Sequence, residues 1–382
     1  MRVKRISNDT DTKELLRKID VSKEGIKIIS SKMKHMSFFI EQIRTPAANI
    51  LKQEALSIGA EFAVPKDTIL CKDERVDGVL IINQKELNYL CQKLKAQPFG
   101  LKDLSLKLKD HLNTKSFQDI KIMGVLNINS DSFYAKSRFD KNEALKRVVD
   151  MVEDGANIID IGALSSRPGS DKISEDEELE RIRDIIDLIY KNRLYERVRF
   201  SLDSYSPKVI SYALQRGFQI VNDITGLEND EVCKLISQYD ASAVIMHKKG
   251  DPKTMQDNPS YVDVIDEIDQ FFTHRIKKAE AFGIKDIILD VGIGFGKRLQ
   301  DNLVLIKHLE HFKHFNKELL IGASRKSMID DIMPTQVEDR LSATLALHLR
   351  AIQNGASIIR VHDVLEHKRV LSILRALDET TI

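Results

Sequence analysis

The sequence predicts an α/β protein, a (β/α)8 TIM barrel preceded by a small α/β amino-terminal domain. Three observations point there. From about residue 120 onward, short apolar runs alternate with longer amphipathic stretches, the order that builds repeated βα units around a parallel sheet. Eight such units fill about 260 residues, the size of a closed barrel, with a doubly wound open sheet as the alternative. Asn127, Asp160, Asp203, Asn222, His247, Asp290, Ser324, Arg360 and His362 all fall at or just past the carboxyl ends of strands. A closed barrel brings those ends to one mouth, whereas an open sheet strings them along an edge, so the barrel is favoured.

The strands read in order as "KIMGVLN", "NIIDIG", "VRFSLDS", "FQIVND", "SAVIMH", "DIILDVG", "ELLIGAS" and "SIIRVHD". Residues 122–126 form the first barrel strand, Asn127 stands at its lip, and 128–140 make a long polar loop over the mouth. Asp140 and Glu143 are spaced as a capping box, with Leu145, Val148, Val149 and Val152 on one helix face and Gly155 as the stop. Ser174 and Glu177 make another box ahead of Leu179, Ile182 and Ile186. Ser206 caps, and Pro207 opens, a helix that Gly217 ends.

Residues 1–118 break the repeat. Here "SFFIEQI" and "GVLIIN" read as strands, "PAANILKQEALSIGA" and "QKELNYLCQKLKAQ" as helices, and "AQPFGLKD" as the exit. Residues 101–118 fit a helix or a hairpin equally. The domain holds no cluster of polar groups, so it reads as structural, docked on the barrel or on a dimer partner, rather than as a second activity.

Lys and Arg (59) nearly balance Asp and Glu (58), which leaves no field to draw nucleic acid or an anionic membrane. Cys71, Cys91 and Cys233 are scattered, with no C-x-x-C and no paired-His spacing, which disfavours a disulfide framework and a structural zinc site. The amino terminus lacks the apolar core of a signal peptide, and no stretch approaches a membrane span. A cytoplasmic protein is expected.

Three features of the mouth point to an anion site. "IGASRKSMIDDI" carries Ser324, Arg325 and Lys326 into a helix start, "SSRPG" offers two hydroxyls and Arg167 in a tight loop, and Arg360 and His362 share a face of the last strand. Asp203, Asp290 and Asn222 sit at the ends of apolar strands, where unpaired charge is costly, and a nitrogen-rich heterocycle with several donors satisfies all three. Met246, Ile224 and Phe295 are placed to flank such a ring. "DVGIGFGK" is only a loose dinucleotide fingerprint, and its glycines read better as a close-packed loop beside a ligand.

Together these residues resemble the dihydropteroate synthases of the pterin-binding TIM-barrel family. The likeness covers about residues 120–375, through "MGVLNINSDSF", "GANIIDIGALSSRPGS", "LDSYSPKVI", "VNDITG", "MHKKGDPKTMQDNPSY", "LDVGIGFGK" with "GASRKSM", and "GASIIRVHDV". The resemblance implies Mg²⁺-assisted condensation of 6-hydroxymethyl-7,8-dihydropterin pyrophosphate with p-aminobenzoate to 7,8-dihydropteroate and pyrophosphate, in a homodimeric, sulfonamide-sensitive enzyme. It also implies roles. Asp203, Asn222, Asp290 and Lys326 hold the pterin in a pocket shaped by Met246, Ile224, Phe295 and Gly322. Asn127 coordinates Mg²⁺, while Ser166, Arg167, Arg360 and His362 bind phosphates. Ser324 and Arg325 border the p-aminobenzoate site, and Asp203, Lys326 and Asn127 are the catalytic candidates. The chain departs from the family pattern at Asn129, Ser130, Ala163, Leu164, Ser166, Lys248 and Val291. Loss of the rigid turn residue at Ser130 bears on loop closure. The rivals are a non-catalytic pterin-binding protein and a corrinoid-dependent methyltetrahydrofolate methyltransferase, the latter having no use for the anion groups.

Overall fold

The computed structural model describes residues 11–112, 119–128, 138–163, 173–250 and 257–380, with the isolated positions 1, 3, 114, 117 and 255. The chain divides into two compact units, Met1–Thr114 with Leu374–Ile382, and Lys115–Ile373.

The first unit carries helices α1 (Thr12–Lys18) and α2 (Lys23–Met33), strand β1 (His35–Arg44), α3 (Thr45–Leu56), β2 (Glu61–Ala63), β3 (Arg75–Asn83), α4 (Gln84–Leu94) and α5 (Leu101–Asp110). Its antiparallel sheet has the order β1-β3-β2, and its buried core includes Leu51, Phe62, Leu80, Leu87 and Leu90. Residues 101–110 are a helix, because Leu101, Ser105 and Leu108 are buried at helical spacing while Leu106 is exposed. The Ser105 hydroxyl donates to the Cys91 carbonyl at 2.8 Å, tying α5 to α4. The Pro98–Gly100 stretch, read from sequence as the exit of the domain, is therefore a turn inside the first unit, with Gly100 at φ +85°.

The second unit is a closed barrel of eight parallel strands in chain order: β4 (Lys121–Asn127), β5 (Ile158–Gly162), β6 (Arg199–Asp203), β7 (Ile220–Asp223), β8 (Ser242–Met246), β9 (Ile287–Asp290), β10 (Glu318–Ile321) and β11 (Ile358–Val361). The predicted TIM barrel is what forms, and β11 closes on β4 through Arg360 beside Met123. Between the strands run α6 (Arg138–Glu153), α7 (Glu175–Lys191), α8 (Pro207–Leu214), α9 (Asp230–Gln238), α10 (Val264–Ala281), α11 (Leu299–Lys307), α12 (Met328–Ile332) and α13 (Leu341–Gln353), with α14 (Val364–Asp378) last. Ser174 caps α7 through the Glu177 amide at 3.2 Å, and Ser206 caps α8 with Pro207 at its first turn. The helix predicted to be capped at Asp140 begins earlier, at Arg138. Outward strand residues such as Ile159, Phe200 and Val221 pack with the helices. No described helix is long and apolar enough to cross a membrane.

Candidate active site

A strand's side chains repeat every second residue on one face. Met123, Ile158, Ile220, Val244, Ile288, Leu320 and Ile358 form a separate buried cluster that plugs the barrel interior. Two residues further along each of these strands lie Val125, Asp160, Asn222, Met246, Asp290, Gly322 and Arg360. Four of these seven are polar, so the inner face turns from aliphatic to largely polar in a single step, at the carboxyl ends where barrel sites form. Strand β6 adds Asp203, in register with Asn222.

Arg360 is the hub of this layer. Its Nε donates to Asp160 Oδ2 at 2.7 Å and its Nη2 to Asp203 Oδ2 at 2.8 Å, while Asn222 Nδ2 donates to the same Asp160 oxygen at 3.1 Å. Burial opposes the guanidinium charge, but Asp160 and Asp203 outweigh it and hold Arg360 more firmly protonated than usual. Burial lifts Asp203 to about 7 against the pull of Arg360, with Asp160, Glu178 and Asp223 pushing the same way as burial. Among the described residues Asp160 Oδ1 is buried with no hydrogen-bond partner, so one carboxylate oxygen is left for a donor from elsewhere.

The loop after β9 sets the opposite wall. Gly292, Gly294 and Gly296 have φ of +67°, +80° and +62°. A Cβ on Gly292 would lie 1.9 Å from the His247 carbonyl oxygen, and one on Gly296 would lie 2.1 Å from that of Lys249, so the predicted close packing is packing against the loop after β8. Buried Lys297 braces it: its Nζ donates to the Gly292 and Phe295 carbonyls at 2.9 and 3.1 Å and sits 3.0 Å from His247 Nδ1. Burial lowers Lys297 to about 7. Asp290 accepts the Gly292 amide at 2.8 Å, and burial still raises its carboxyl above the ordinary range. Lys326 reaches across from the β10 loop, donating to the Ile293 carbonyl with its ammonium 4.3 Å from the Phe295 ring centre. Burial lowers it to about 8, against Asp290 and Asp203.

The segment 323–326 is held from below by two buried histidines. The Ala323 amide donates to His348 Nε2 at 3.1 Å, His348 Nδ1 lies 2.8 Å from His367 Nε2, and His367 Nδ1 lies 2.6 Å from the Asp363 carbonyl oxygen. One proton arrangement satisfies all three contacts: both rings neutral and protonated on Nδ1. Above them Ser324 Oγ is 2.9 Å from His362 Nδ1, and Arg325, at φ +55°, donates to both Asp363 carboxylate oxygens at 3.1 and 2.5 Å.

Of the residues singled out from sequence, the fold brings Asp203, Asn222, Met246, Asp290, Gly322 and Arg360 into the mouth layer or beside it, with Lys326 and Phe295 on the glycine-loop wall. A Cβ on Gly322 would meet Arg360 at 3.6 Å, ordinary contact, so the chain itself does not demand glycine there. Ile224 is buried just past β7, and half-buried Asn127 ends β4. Ser166 and Arg167, the altered loop positions Asn129, Ser130 and Leu164, and nearly all of the 128–140 loop lie outside the described residues. Sequence reasoning put Asp160 at a strand end without giving it a role, and it left Lys297, His348 and His367 unassigned. Only Asp160 carried a signal, its place two residues beyond Ile158.

Glu178 on α7 is buried beside this network. Its Oε1 has no partner among the described residues, and burial raises the carboxyl to about 7 against a hydrogen bond with Ser204. A folded-state value raised above the unfolded one gives stability that is complete below the unfolded value and lost as pH rises through about 7. Between pH 5 and 8 the wild type is therefore expected to lose about 3 kcal/mol relative to Glu178→Gln, at roughly 1.4 kcal/mol per pKa unit. Urea unfolding of both proteins at the two pH values checks this, and parallel pH curves would refute it.

Residues 123–362 match the pterin binding enzyme family. The chain belongs to that family. It is 43% identical over 380 residues, all of both chains, to the bifunctional dihydropteroate synthase/dihydropteroate reductase of Helicobacter pylori. Among solved pterin-binding enzymes it resembles the Yersinia pestis dihydropteroate synthase in complex with a sulfonamide drug, at 34% identity and TM-score 0.64, covering 70% of this chain and 98% of that one. It also resembles the Xanthomonas albilineans dihydropteroate synthase with 4-aminobenzoic acid, at 30% identity and TM-score 0.63, covering 69% and 95%.

Proposed function

We propose that the barrel mouth is a dihydropteroate synthase site, joining 6-hydroxymethyl-7,8-dihydropterin pyrophosphate to p-aminobenzoate. The observation that carries this reading is the single buried layer of Asp160, Asp203, Asn222 and Asp290 around one arginine, set against the anion-suited segment 324–326. Asp203, Asn222, Asp290 and the unpartnered Asp160 oxygen take the N–H groups of the pterin, and Lys326 donates to its ring acceptors. Met246, Ile224, Phe295 and Gly322 bound its faces. Arg360, His362, Ser166 and Arg167 receive the pyrophosphate, and Ser324 and Arg325 border p-aminobenzoate, where sulfonamides compete.

In the reaction the aryl amine lone pair forms the new C–N bond at the exocyclic methylene. The C–O bond to pyrophosphate breaks, its electron pair leaves on oxygen, and the amine proton passes to solvent. Buried carboxylates favour the cationic character left on the methylene, and cationic side chains favour the departing charge. No strong base is required, since a neutral amine attacks an electron-poor carbon.

Asn127 offers one amide oxygen at the lip. Mg²⁺ commonly takes one or two protein ligands and fills its octahedron with water and substrate phosphate oxygens, so this donor fits. When bound, the ion neutralises pyrophosphate charge. The resemblance makes a homodimer the expected assembly, which sedimentation would test.

Pyrophosphate release should need both substrates and Mg²⁺, and Lys326→Ala should lower kcat/KM at least about 10²-fold. Pterin binding without turnover would favour the binding-protein reading instead.

The full-length match to the Helicobacter pylori protein supports a second reading, reduction of dihydropteroate by a hydride donor, because the alignment takes in the amino-terminal unit as well as the barrel. Consumption of 7,8-dihydropteroate with a reduced nicotinamide, with and without a flavin, tests it. No consumption under either condition would return that unit to the structural role expected from sequence.

A further inference from the structure

Away from the mouth, on the outer face of the barrel unit, three potential metal donors converge. Asp269 lies on α10, and His311 and His314 lie in the short 3-10 helix Leu309–Phe315 that leads into β10. A 3-10 helix repeats every third residue, so side chains at i and i+3 project from the same edge. Both histidines use that edge to bring Nε2 to a single oxygen, Asp269 Oδ2, at 3.0 Å from His311 and 2.6 Å from His314.

The backbone beneath is fixed by aromatic packing. Phe272 of α10 makes edge contacts with Phe312 and Phe315 at 5.7 and 5.9 Å, and Phe272 and Phe312 are fully buried. The two elements that supply the donors are thus clamped together by the residues between them. The donor side chains stay accessible, at 26% exposure for Asp269, 35% for His311 and 15% for His314.

We propose that Asp269, His311 and His314 form a binding site for a divalent transition metal of the zinc class, held by two imidazole nitrogens and one carboxylate oxygen, with water completing a tetrahedron. Tetrahedral ligands at about 2.0–2.1 Å from zinc stand roughly 3.3 Å apart. The two nitrogen–oxygen separations are within about 1 Å of that edge, and all three donor atoms lie within 4.8 Å of one another, so the metal enters by a small adjustment of an existing triangle. Mixed nitrogen and oxygen donors suit zinc, cobalt or nickel better than magnesium, so this ion is distinct from the one proposed at Asn127. The pair in "HFKH" has two residues between its histidines, outside the spacing of a structural zinc motif, and its third donor lies 42 residues earlier in the chain, so the cluster shows only in the fold.

The test uses the full-length protein stripped with a chelator and titrated with Co²⁺, followed by absorption, then displaced with Zn²⁺. Wild type is expected to bind one Co²⁺ with the visible bands of a tetrahedral ion and to gain thermal stability with Zn²⁺. His314→Ala and the more exposed His311→Gln should each weaken binding at least about 100-fold, since even changes in residues that only orient a metal ligand cost 10–100-fold. Both variants should keep wild-type pyrophosphate release in Mg²⁺, which also shows that they fold. Failure of wild type to bind Co²⁺, or unchanged affinity in either variant, overturns the proposal and leaves the triad as a hydrogen-bonded clasp between α10 and the 3-10 helix. Neither result bears on the synthase reading, which is judged by turnover.

Discussion

Asp160→Ala is expected to lower kcat/KM for pyrophosphate release by about 10³-fold and the unfolding free energy by about 3 kcal/mol. Asp160 is fully buried and accepts from both Arg360 and Asn222 through one oxygen. Alanine takes one of two counter-charges from a guanidinium that cannot give up its proton, and leaves the Asn222 amide without its acceptor. The rate falls further than the stability loss alone implies, because an Arg360 drawn wholly to Asp203 no longer presents the same face to a ligand. Asp160→Asn keeps the volume and separates shape from charge: its amide turns a donor or a neutral oxygen toward Arg360, so the rate should still drop. Steady-state assays and urea unfolding supply both numbers, and a kcat/KM within threefold of wild type would make Asp160 mere scaffold. Asp203→Ala shares Arg360 as its partner, so the double variant should be less damaged than the sum of the single ones.

What was legible in the sequence follows from distance along the chain. Barrel strands announce themselves as apolar runs, and their period of two places Asp160, Asn222, Asp290 and Arg360 in one layer before any coordinates are known. That Arg360 answers Asp160, 200 residues away, requires closure of β11 on β4, which no local pattern encodes. Strand β2 is three residues long, too short to show a period, and α5 was ambiguous because Leu104, Leu106 and Leu108 alternate as a strand would. Burial of Ser105 and exposure of Leu106 decide it. His348 and His367 occupy ordinary helix positions, and only the fold turns them toward each other beneath Ala323.

That histidine pair gives the molecule a large expected response to acid. Burial holds His348 down to about 3, with His367, Lys326 and His362 adding to the effect, and burial lowers His367 as well. In the unfolded chain both titrate near 6.5. A depressed folded-state value means that the unfolded chain binds more protons, so the stability these rings contribute is complete above about 6.5 and is lost as pH falls toward the folded-state values. At roughly 1.4 kcal/mol per unit, His348 alone removes about 4 kcal/mol between pH 6.5 and 3, a large part of the stability of an ordinary domain. Protonation also breaks the relay by geometry, because a ring charged on both nitrogens cannot accept the Ala323 amide, and the segment that carries Ser324, Arg325 and Lys326 loses its anchor. Glu178 and Asp203, both raised to about 7, titrate with the opposite sign and offset part of this loss in the wild type, so the histidine contribution is read from the difference between proteins. His348→Gln separates the two: its amide oxygen can still accept from Ala323 but takes up no proton near neutrality. The variant should be less stable than wild type at pH 7.5 by about 2 kcal/mol, through the disturbed hydrogen bond to His367, and should lose less on acidification. Unfolding midpoints measured from pH 7.5 to 3.5 on both proteins decide the matter, and curves that stay parallel across that range would place the acid response in groups other than His348.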